Sequence, residues 1–292
     1  VTADDYEYVN VPVVSSLSPV RGPLGGTTVT ISGSYFAGVS AVTFGGTAAT
    51  ITASSATSIT VTAPARVAGT VNVQVTTPGG GSSTSGTADD FRYVGVPVVS
   101  AVTPAVGPIA GGTAVTLTGA NFVDVDPSTG VSFGGTPATS VVIVSETQIT
   151  AVAPAGSIGT VDVTVTGLGG TSSTSGTGND FAYYGIPDVT SLTPSSGPIA
   201  GGQTVVIGGQ NLLGVTSVRF GSASATVVSG TDTSLTVTSP AGSIGTVDVT
   251  VTTPGGTSST SGTGNDYRYF GVPTVSSLRD RKSTRLNSSH GY

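Results

Sequence analysis

The feature that most constrains this chain is that its sequence repeats about every 85 to 90 residues. Four segments open with the same pair of residue types, at Val11-Pro12, Val96-Pro97, Ile186-Pro187 and Val272-Pro273, spaced by 85, 90 and 86 residues. A solenoid turn takes roughly 20–50 residues, whereas a small β-sandwich takes about 100. The spacing therefore predicts a string of small, separately folded domains.

A second signature precedes each opening pair, and it fixes the expected boundaries. Two Asx residues and two alternating aromatics recur at Asp4-Asp5-Tyr6-Glu7-Tyr8, Asp89-Asp90-Phe91-Arg92-Tyr93, Asn179-Asp180-Phe181-Ala182-Tyr183 and Asn265-Asp266-Tyr267-Arg268-Tyr269. We expect three complete repeats, flanked by the C-terminal end of a preceding repeat and the start of a truncated fourth. These parts are 1–10, 11–95, 96–185, 186–271 and 272–279.

The last thirteen residues differ from the rest of the chain. The only Lys and the only His, Lys282 and His290, both lie there. Residues 280–290 resemble the in-frame translation of a sequencing-adapter oligonucleotide. We therefore expect 280–292 to be a library artefact and leave it out of fold reasoning, as one would an expression scar. The alternative is a genuine basic tail.

Charge and composition narrow the classes of function. Without residues 280–292 the chain has 6 Arg against 14 Asp and Glu, a net charge of −8. Such a surface repels phosphate backbones, so we expect no nucleic-acid partner. The absence of Cys excludes a disulfide framework and thiolate metal sites. No apolar run approaches the roughly 20 residues of a membrane helix, so we expect no membrane insertion by this segment.

The hydrophobic pattern is that of β-strands. The clearest strand, Gly69–Thr76, alternates Val with Asn, Gln or Thr, and it recurs at Val161–Val165 and Val247–Val251. Successive side chains of a strand point to opposite faces, so one face is apolar and the other wet. Further candidates are Thr28–Ser32, Ala41–Phe44, Ser58–Thr62 and their copies, separated by Gly and Pro. The expected fold class is all-β, with tandem immunoglobulin-like (early-set) β-sandwich domains.

The repeated text resembles a known family. The run from Pro19 to Phe36, with its Gly-Pro-Leu-Gly-Gly turn, looks like the opening of an IPT/TIG domain, the immunoglobulin-like fold shared by plexins and some transcription factors. The pattern continues to Phe91-Arg92-Tyr93 and matches again from Pro104 to Tyr183 and from Pro194 to Tyr269. The resemblance implies an early-set immunoglobulin fold. It does not imply one activity, because fold does not fix function.

No catalytic, cofactor-binding or metal residue is assigned, and no cofactor is expected. Outside residues 280–292 there is no His to act as a base and no Cys. The Gly-Pro-x-Ala-Gly-Gly runs at 107–112 and 197–202 lead from strand to strand and are interpreted as turns, not phosphate loops. Paired carboxylates for glycoside hydrolysis stay open, although repeated scaffold acids are the simpler interpretation.

Two acidic features leave calcium open as an alternative. The second repeat carries a longer loop with Asp124, Asp126 and Ser128 at calcium-like spacing, but the closing Glu is missing. At the repeat junctions, Asp89-Asp90 or Asn179-Asp180 stands before the last strand, where interdomain calcium competes with simple Asx capping of a turn. Phe91 and Tyr93 share one face and are predicted to lie in the core.

The expected function is a non-catalytic array of a secreted or cell-surface protein, bacterial in origin, that serves as stalk, spacer or adhesin. The expected partners are the neighbouring repeats of the same chain and a protein or glycan ligand that the sequence does not identify. The alternative is an accessory spacer or carbohydrate-targeting module of an extracellular polysaccharide-active enzyme, which an exposed row of aromatics would favour.

Overall fold

The structure is a computed structural model that describes residues 9–277. The first signature (residues 4–8), Leu278 and the adapter-like segment 280–292 lie outside the described residues. The described part contains strands and turns but no helix, and therefore no helix that could cross a membrane. The chain divides into two compact units, Val1–Gly185 and Ile186–Tyr292, which are described separately.

Each repeat contains ten strands. Those of the first repeat are β1 (Val13–Ser18), β2 (Arg21–Gly22), β3 (Thr28–Ser34), β4 (Ala41–Phe44), β5 (Thr47–Ala48), β6 (Thr50–Ser54), β7 (Ser58–Thr62), β8 (Gly69–Thr77), β9 (Gly80–Gly81) and β10 (Asp90–Tyr93). Those of the second are β11 (Val98–Thr103), β12 (Val106–Pro108), β13 (Ala114–Ala120), β14 (Val131–Phe133), β15 (Thr136–Pro137), β16 (Thr139–Ser145), β17 (Gln148–Val152), β18 (Gly159–Gly167), β19 (Gly170–Thr171) and β20 (Asp180–Tyr184).

The third repeat belongs to the second compact unit. Its strands are β21 (Asp188–Thr193), β22 (Ser196–Pro198), β23 (Thr204–Gln210), β24 (Ser217–Phe220), β25 (Ala223–Ser224), β26 (Thr226–Gly230), β27 (Ser234–Thr238), β28 (Gly245–Thr253), β29 (Gly256–Thr257) and β30 (Asp266–Phe270). The strands expected from the alternating pattern are all present, and β4 and β7 have the bounds that the sequence predicts. The all-β prediction is therefore confirmed.

The strands of each repeat form two sheets that enclose one core. In the first repeat the four-stranded sheet runs β1-β3-β7-β6, and the other runs β2-β10-β8-β4-β5 with β9 paired to β8. The second and third repeats have the same order. All pairings are antiparallel except one per repeat: the short strand near the start pairs parallel with the last strand, as β2 with β10, β12 with β20 and β22 with β30.

Aromatic rings stack edge to face in the middle of each sandwich. Phe44 meets Phe91 at 5.2 Å between ring centroids, Phe133 meets Phe181 at 5.1 Å, and Phe220 meets Tyr267 at 4.8 Å. All six rings are at most 2% exposed. Edge-to-face pairs contribute about 0.5–1.5 kcal/mol beyond the area that they bury. Because each repeat has its own aromatic cluster, each has its own source of stability.

The second aromatic of the signature is held differently in the first repeat. Tyr183 and Tyr269 each donate their hydroxyl to a proline carbonyl, of Pro154 and Pro240, at 2.8 Å. Their rings pack on Gly156 and Gly242, where a Cβ would lie within 2.7 Å of the ring. The first repeat has Arg66 at this position, and the buried Tyr93 hydroxyl has no partner among the described residues.

Candidate functional site

Between residues 9 and 277 no three His, Cys, Asp or Glu side chains lie close enough together to hold a metal ion. The Gly-Pro-x-Ala-Gly-Gly run at 107–112 forms a turn after β12, with Gly111 and Gly112 at φ of 75° and 85°. Positive φ is readily adopted by Gly, so this run is a turn between strands, as its sequence suggests. The site with the most specific chemistry is instead the junction between the first and second repeats.

A short linker enters the second repeat under several constraints. Val94 is buried, and its N–H donates to the Gly22 carbonyl at 2.8 Å. The Asn121 side-chain amide donates to the Val96 carbonyl at 3.0 Å. A Cβ on Gly169 would lie 1.9 Å from the Gly95 carbonyl oxygen, so the backbone packs directly on the linker. The linker thus continues the fold on both sides and is held by both repeats.

Two arginines of the first repeat lie side by side at this junction. Arg21 of β2 and Arg92 of β10 are directly paired in the parallel ladder. Like charges at opposed positions are unfavourable unless something neutralises them. Here two carboxylates of the second repeat do so: Arg21 Nε donates to Asp124 Oδ2 at 3.0 Å, and Arg92 Nη1 donates to Glu146 Oε1 at 2.6 Å.

Both ion pairs are bidentate, because a second guanidinium nitrogen of each arginine contacts the other carboxylate oxygen. This fork geometry gives direction as well as attraction. The side chains remain 38–49% exposed, so each pair is worth only the modest amount typical of surface ion pairs. Their combined effect is to orient the second repeat relative to the first.

The mutual hydrogen bond shifts the pKa of both members of one pair. Arg92 lowers the pKa of the Glu146 carboxyl chiefly by donating hydrogen bonds to it, and the attraction of its charge adds to this, while partial desolvation opposes the shift. The same hydrogen bond raises the pKa of Arg92. The pair is therefore fully charged at neutral pH and is lost only in acid, as Glu146 is protonated.

Asp124 occupies a backbone position that suits glycine. Its φ is 50°, and the residues that follow Phe36 and Leu212 by two places in the other repeats are Gly38 and Gly214, with φ of 69° and 73°. Asp tolerates this left-handed region better than most residues with a side chain. The second repeat thus replaces a turn glycine with the carboxylate that binds Arg21.

The calcium-like loop of the second repeat has its carboxylates engaged within the protein. Asp124 contacts Arg21, while Asp126 accepts hydrogen bonds from the Ser128 N–H at 2.8 Å and the Thr129 hydroxyl at 3.0 Å. The bonds from Ser128 and Thr129 lower the pKa of Asp126. The two carboxylates therefore do not converge on one point but serve a junction and a turn.

The Asx residues before the last strand are buried in every repeat. Asp89, Asn179 and Asn265 are each 2–3% exposed. The Asn179 amide donates to Asp162 Oδ1 at 2.8 Å, and the Asn265 amide approaches the Ser259 carbonyl at 3.4 Å. These contacts lie within single repeats. Phe91 and Tyr93 beyond them are 0% and 1% exposed, which confirms that they belong to the core.

Sequence reasoning missed Arg21, Arg92 and Glu146. One signal was available: outside residues 280–292 the chain has only six arginines, and Arg21 stands where the second and third repeats have Val106 and Ser196. A rare charge that departs from the repeat pattern indicates a local role. Pairing Arg21 with Arg92 required the parallel ladder, which the alternating pattern does not predict.

Comparison with known proteins bears out the resemblance. The IPT/TIG domain family matches residues 12–93, 97–183 and 187–269. Mouse plexin-A2 is 35% identical over 154 residues, which cover 51% of this chain, and human fibrocystin-L is 29% identical over 160 residues, which cover 54%. The aligned segments span only 8% and 4% of those two proteins.

Solved structures give weaker likenesses. The plexin A4 extracellular region aligns over 83% of this chain and 22% of its own length, at 20% identity and a TM-score of 0.39. A surface glycan-binding protein, SGBP-B of Bacteroides uniformis, aligns over 60% of this chain and 49% of its own, at 24% identity and a TM-score of 0.26. The assignment rests on the three successive family matches, which together cover most of the sequence: the chain belongs to the IPT/TIG domain family, as a tandem array of three such domains.

Proposed function

We propose that this array is a non-catalytic, load-bearing spacer of an extracellular or cell-surface protein. The observation that supports this most directly is the parallel pairing of the second and last strands in every repeat. The proposal includes an adhesive role in which the array carries a binding partner at a distance from its anchor.

The parallel pair places its hydrogen bonds in shear when a repeat is stretched. Force enters near the N-terminal strand and leaves through the C-terminal one, so in parallel strands the two pulls act in opposite directions along the ladder. All bonds of the pair must then yield together. In the second repeat they include the Ala182 N–H to the Ala105 carbonyl at 2.9 Å and the Ile109 N–H to the Tyr184 carbonyl at 3.0 Å.

Composition and surface suit the same role. Charged residues make up 8% of the chain, against about 25% in an average globular domain, so Thr, Ser and Gly provide most of the solvated surface. The five arginines among the described residues leave few places for a trypsin-like protease to act, which favours persistence outside a cell.

The carbohydrate-targeting alternative needs exposed aromatic rings on one face. Among the described residues, the most exposed aromatic side chains are Tyr35 in the first repeat, which is 52% exposed, and Phe270 in the third, which is 46% exposed. Neither forms a row with other exposed rings of its own repeat. A glycan array probed with the full chain tests this alternative, and retention of one glycan class would favour it over a passive spacer.

Single-molecule stretching of the full chain tests load bearing. Each repeat of about 85 residues should release a contour length of roughly 300 Å less its folded length, since an extended residue spans about 3.6 Å. We expect three separate unfolding events. Ile109→Pro removes one N–H donor from the parallel pair of the second repeat and should lower the force of one event, whereas Ile109→Val, which keeps the N–H, should leave it unchanged.

Two results of the stretching experiment would contradict the load-bearing proposal. A single cooperative event would mean that the repeats do not carry load separately. Equal forces for Ile109→Pro and Ile109→Val would mean that the parallel pair is not the element that resists stretching.

A further inference from the structure

The last strand of the third repeat carries an arginine in the same place as Arg92 of the first. Arg268 of β30 is paired with Ser196 in the parallel ladder, as Arg92 of β10 is paired with Arg21. Arg268 is exposed. The ion pairs among the described residues are those of Arg21 and Arg92, so Arg268 has no carboxylate partner in this part of the chain.

Apolar side chains surround Arg268 at this end of the repeat. Its guanidinium carbon lies 4.8 Å from the centre of the Phe270 ring, a cation–π contact that leaves the planar donors of the guanidinium available. Phe270 and Val272 are exposed, and so is Ile244, which lies beside Gly271. Exposed apolar patches next to polar groups are typical of protein–protein interaction surfaces.

The joint between the first and second repeats shows what an arginine in this place binds. Arg92 pairs with Glu146 of the repeat that follows it. The fold fixes the Glu146 position, because its carbonyl accepts a hydrogen bond from the Phe122 N–H at 2.9 Å. The same bond holds the corresponding residue in the other repeats, from the Phe36 N–H to the Ala56 carbonyl and from the Leu212 N–H to the Asp232 carbonyl, both at 3.0 Å.

The position that meets the arginine can therefore be recognised in any repeat of this family. It lies two residues before β7, β17 or β27. Two of the three repeats have a carboxylate there, as Glu146 and Asp232.

We propose that the C-terminal end of the third repeat, formed by Arg268, Phe270, Ile244 and Val272, is a docking surface for a following IPT/TIG repeat with Asp or Glu at the Glu146 position. The surface continues the interface of the first joint, and the charges are complementary. The linker also restarts in the same way, since Gly271-Val272-Pro273 repeats residues 95–97.

This joint needs one acid where the first joint has two. Ser196 takes the place of Arg21, so there is no second arginine to neutralise. The following repeat should therefore have Gly where the second repeat has Asp124, as the first and third repeats do with Gly38 and Gly214.

A chain with four repeats tests the surface. Residues 272–292 are replaced by a second copy of 96–185 that carries Asp124→Gly, which places Glu146 of the copy in the repeat after Arg268. Spin labels on Ser229→Cys in the third repeat and Ala155→Cys in the copy, both at exposed positions, report the distances between the two repeats by pulsed electron resonance. We expect a narrow distribution.

Arg268→Gln should broaden that distribution and lower the ratio of docked to undocked joints roughly twofold, the effect of one exposed ion pair. Glu146→Gln in the copy should do the same, and the two changes together should add little to either one, because both remove the same pair. Arg219→Gln, elsewhere in the third repeat, is the matched control and should have no effect. Exchanging the charges, as Arg268→Glu with Glu146→Arg in the copy, should leave the distribution narrow.

The proposal is overturned if Arg268→Gln leaves the distribution unchanged, or if it broadens the distribution equally when Glu146 of the copy is already Gln. It is also overturned if the natural repeat that follows residue 271 has no acid two residues before its strand equivalent to β7. The inference rests on the serial arrangement that the spacer function assumes, but the unfolding forces of the three repeats do not depend on this acid. The stretching experiment can therefore support the spacer function even if this inference fails.

Discussion

The two arginine–carboxylate pairs between the first and second repeats should set how freely this joint bends. Replacing both arginines, as Arg21→Gln with Arg92→Gln, removes the charges but keeps side chains of similar length. Neither arginine belongs to a hydrophobic core cluster, so both repeats should stay folded while the joint loosens.

The magnitude follows from exposure and geometry. Exposed ion pairs contribute about 0.2–1 kcal/mol each. Bidentate contact favours the upper part of that range, but side chains that are 38–49% exposed are screened by solvent. About 0.5 kcal/mol per pair gives about 1 kcal/mol in total, which is roughly a fivefold change in the ratio of docked to undocked joints, since 1.4 kcal/mol is tenfold.

The absence of native cysteines makes the measurement direct. Spin labels on Ala53→Cys and Ala155→Cys, one in each repeat and both at exposed positions, report the distribution of inter-repeat distances by pulsed electron resonance. The double Gln variant should broaden it, and so should 1 M NaCl on the wild type, where the Debye length is about 3 Å. Arg219→Gln, in the third repeat, is the control.

Acid should loosen the same joint, because protonation of Glu146 removes the negative charge that Arg92 binds. Its folded-state pKa is lowered by Arg92, so its contribution is complete above the ordinary glutamate pKa and is lost as pH falls through the lowered value. A distance distribution that stays unchanged in the double Gln variant, in 1 M NaCl and at pH 3 would show that the ion pairs do not hold the joint. Exchanging the charges in the wild type, as Arg92→Glu with Glu146→Arg, keeps an ion pair between the two positions and should leave the distribution narrow at neutral pH.

Three further predictions concern the individual repeats. Phe181→Ala should cost about 3–5 kcal/mol and lower only the calorimetric transition of the second repeat, because Phe181 packs within that core alone; a uniform shift of all transitions would contradict separate folding. Gly156→Ala places a Cβ 2.7 Å from the Tyr183 ring and should cost about 1–3 kcal/mol by overpacking. Gly86→Ala, whose Cβ would meet its nearest neighbours only at 3.9 Å, should be neutral in the same denaturant titration. Burial raises the pKa of Tyr183 and, together with Tyr267 nearby, of Tyr269. Their stabilising contribution is therefore complete below the ordinary tyrosine pKa and is lost as the pH rises through the raised values; an absorbance titration at alkaline pH in which every tyrosine ionises at its ordinary value would contradict this.

Much of the fold could be predicted because the determinants are local and are repeated three times. Alternation in Gly69–Thr76 predicts β8, and the structure extends it by a single residue to Thr77. Phe91 and Tyr93 were placed in the core from the two-residue period of a strand, which geometry imposes.

The parallel pairing could not be predicted, because nothing local encodes it. β2 consists of two residues, Arg21 and Gly22, too few to carry an alternating pattern. Its partner β10 lies about seventy residues further on, and only the closed sandwich brings the two together. The ion pairs at the junction depend on this pairing and were missed for the same reason.

The role of the acidic loops was only partly predictable. Asp124 and Asp126 have calcium-like spacing, but spacing does not reveal that Arg21 of the preceding repeat contacts one of them. The sequence shows that Asp89 stands where the second repeat has Asn179, but only the structure shows that Asp89 Oδ2 is buried without a hydrogen-bond partner among the described residues. The exact repeat boundaries remain a prediction.

Sequencing the parent gene across both ends of this segment tests whether these repeats form a non-catalytic spacer of an extracellular protein. We expect further IPT/TIG domains in series, together with an export signal and a surface anchor. A catalytic domain joined directly to the array would contradict it, and the repeats would then be the accessory module of an enzyme.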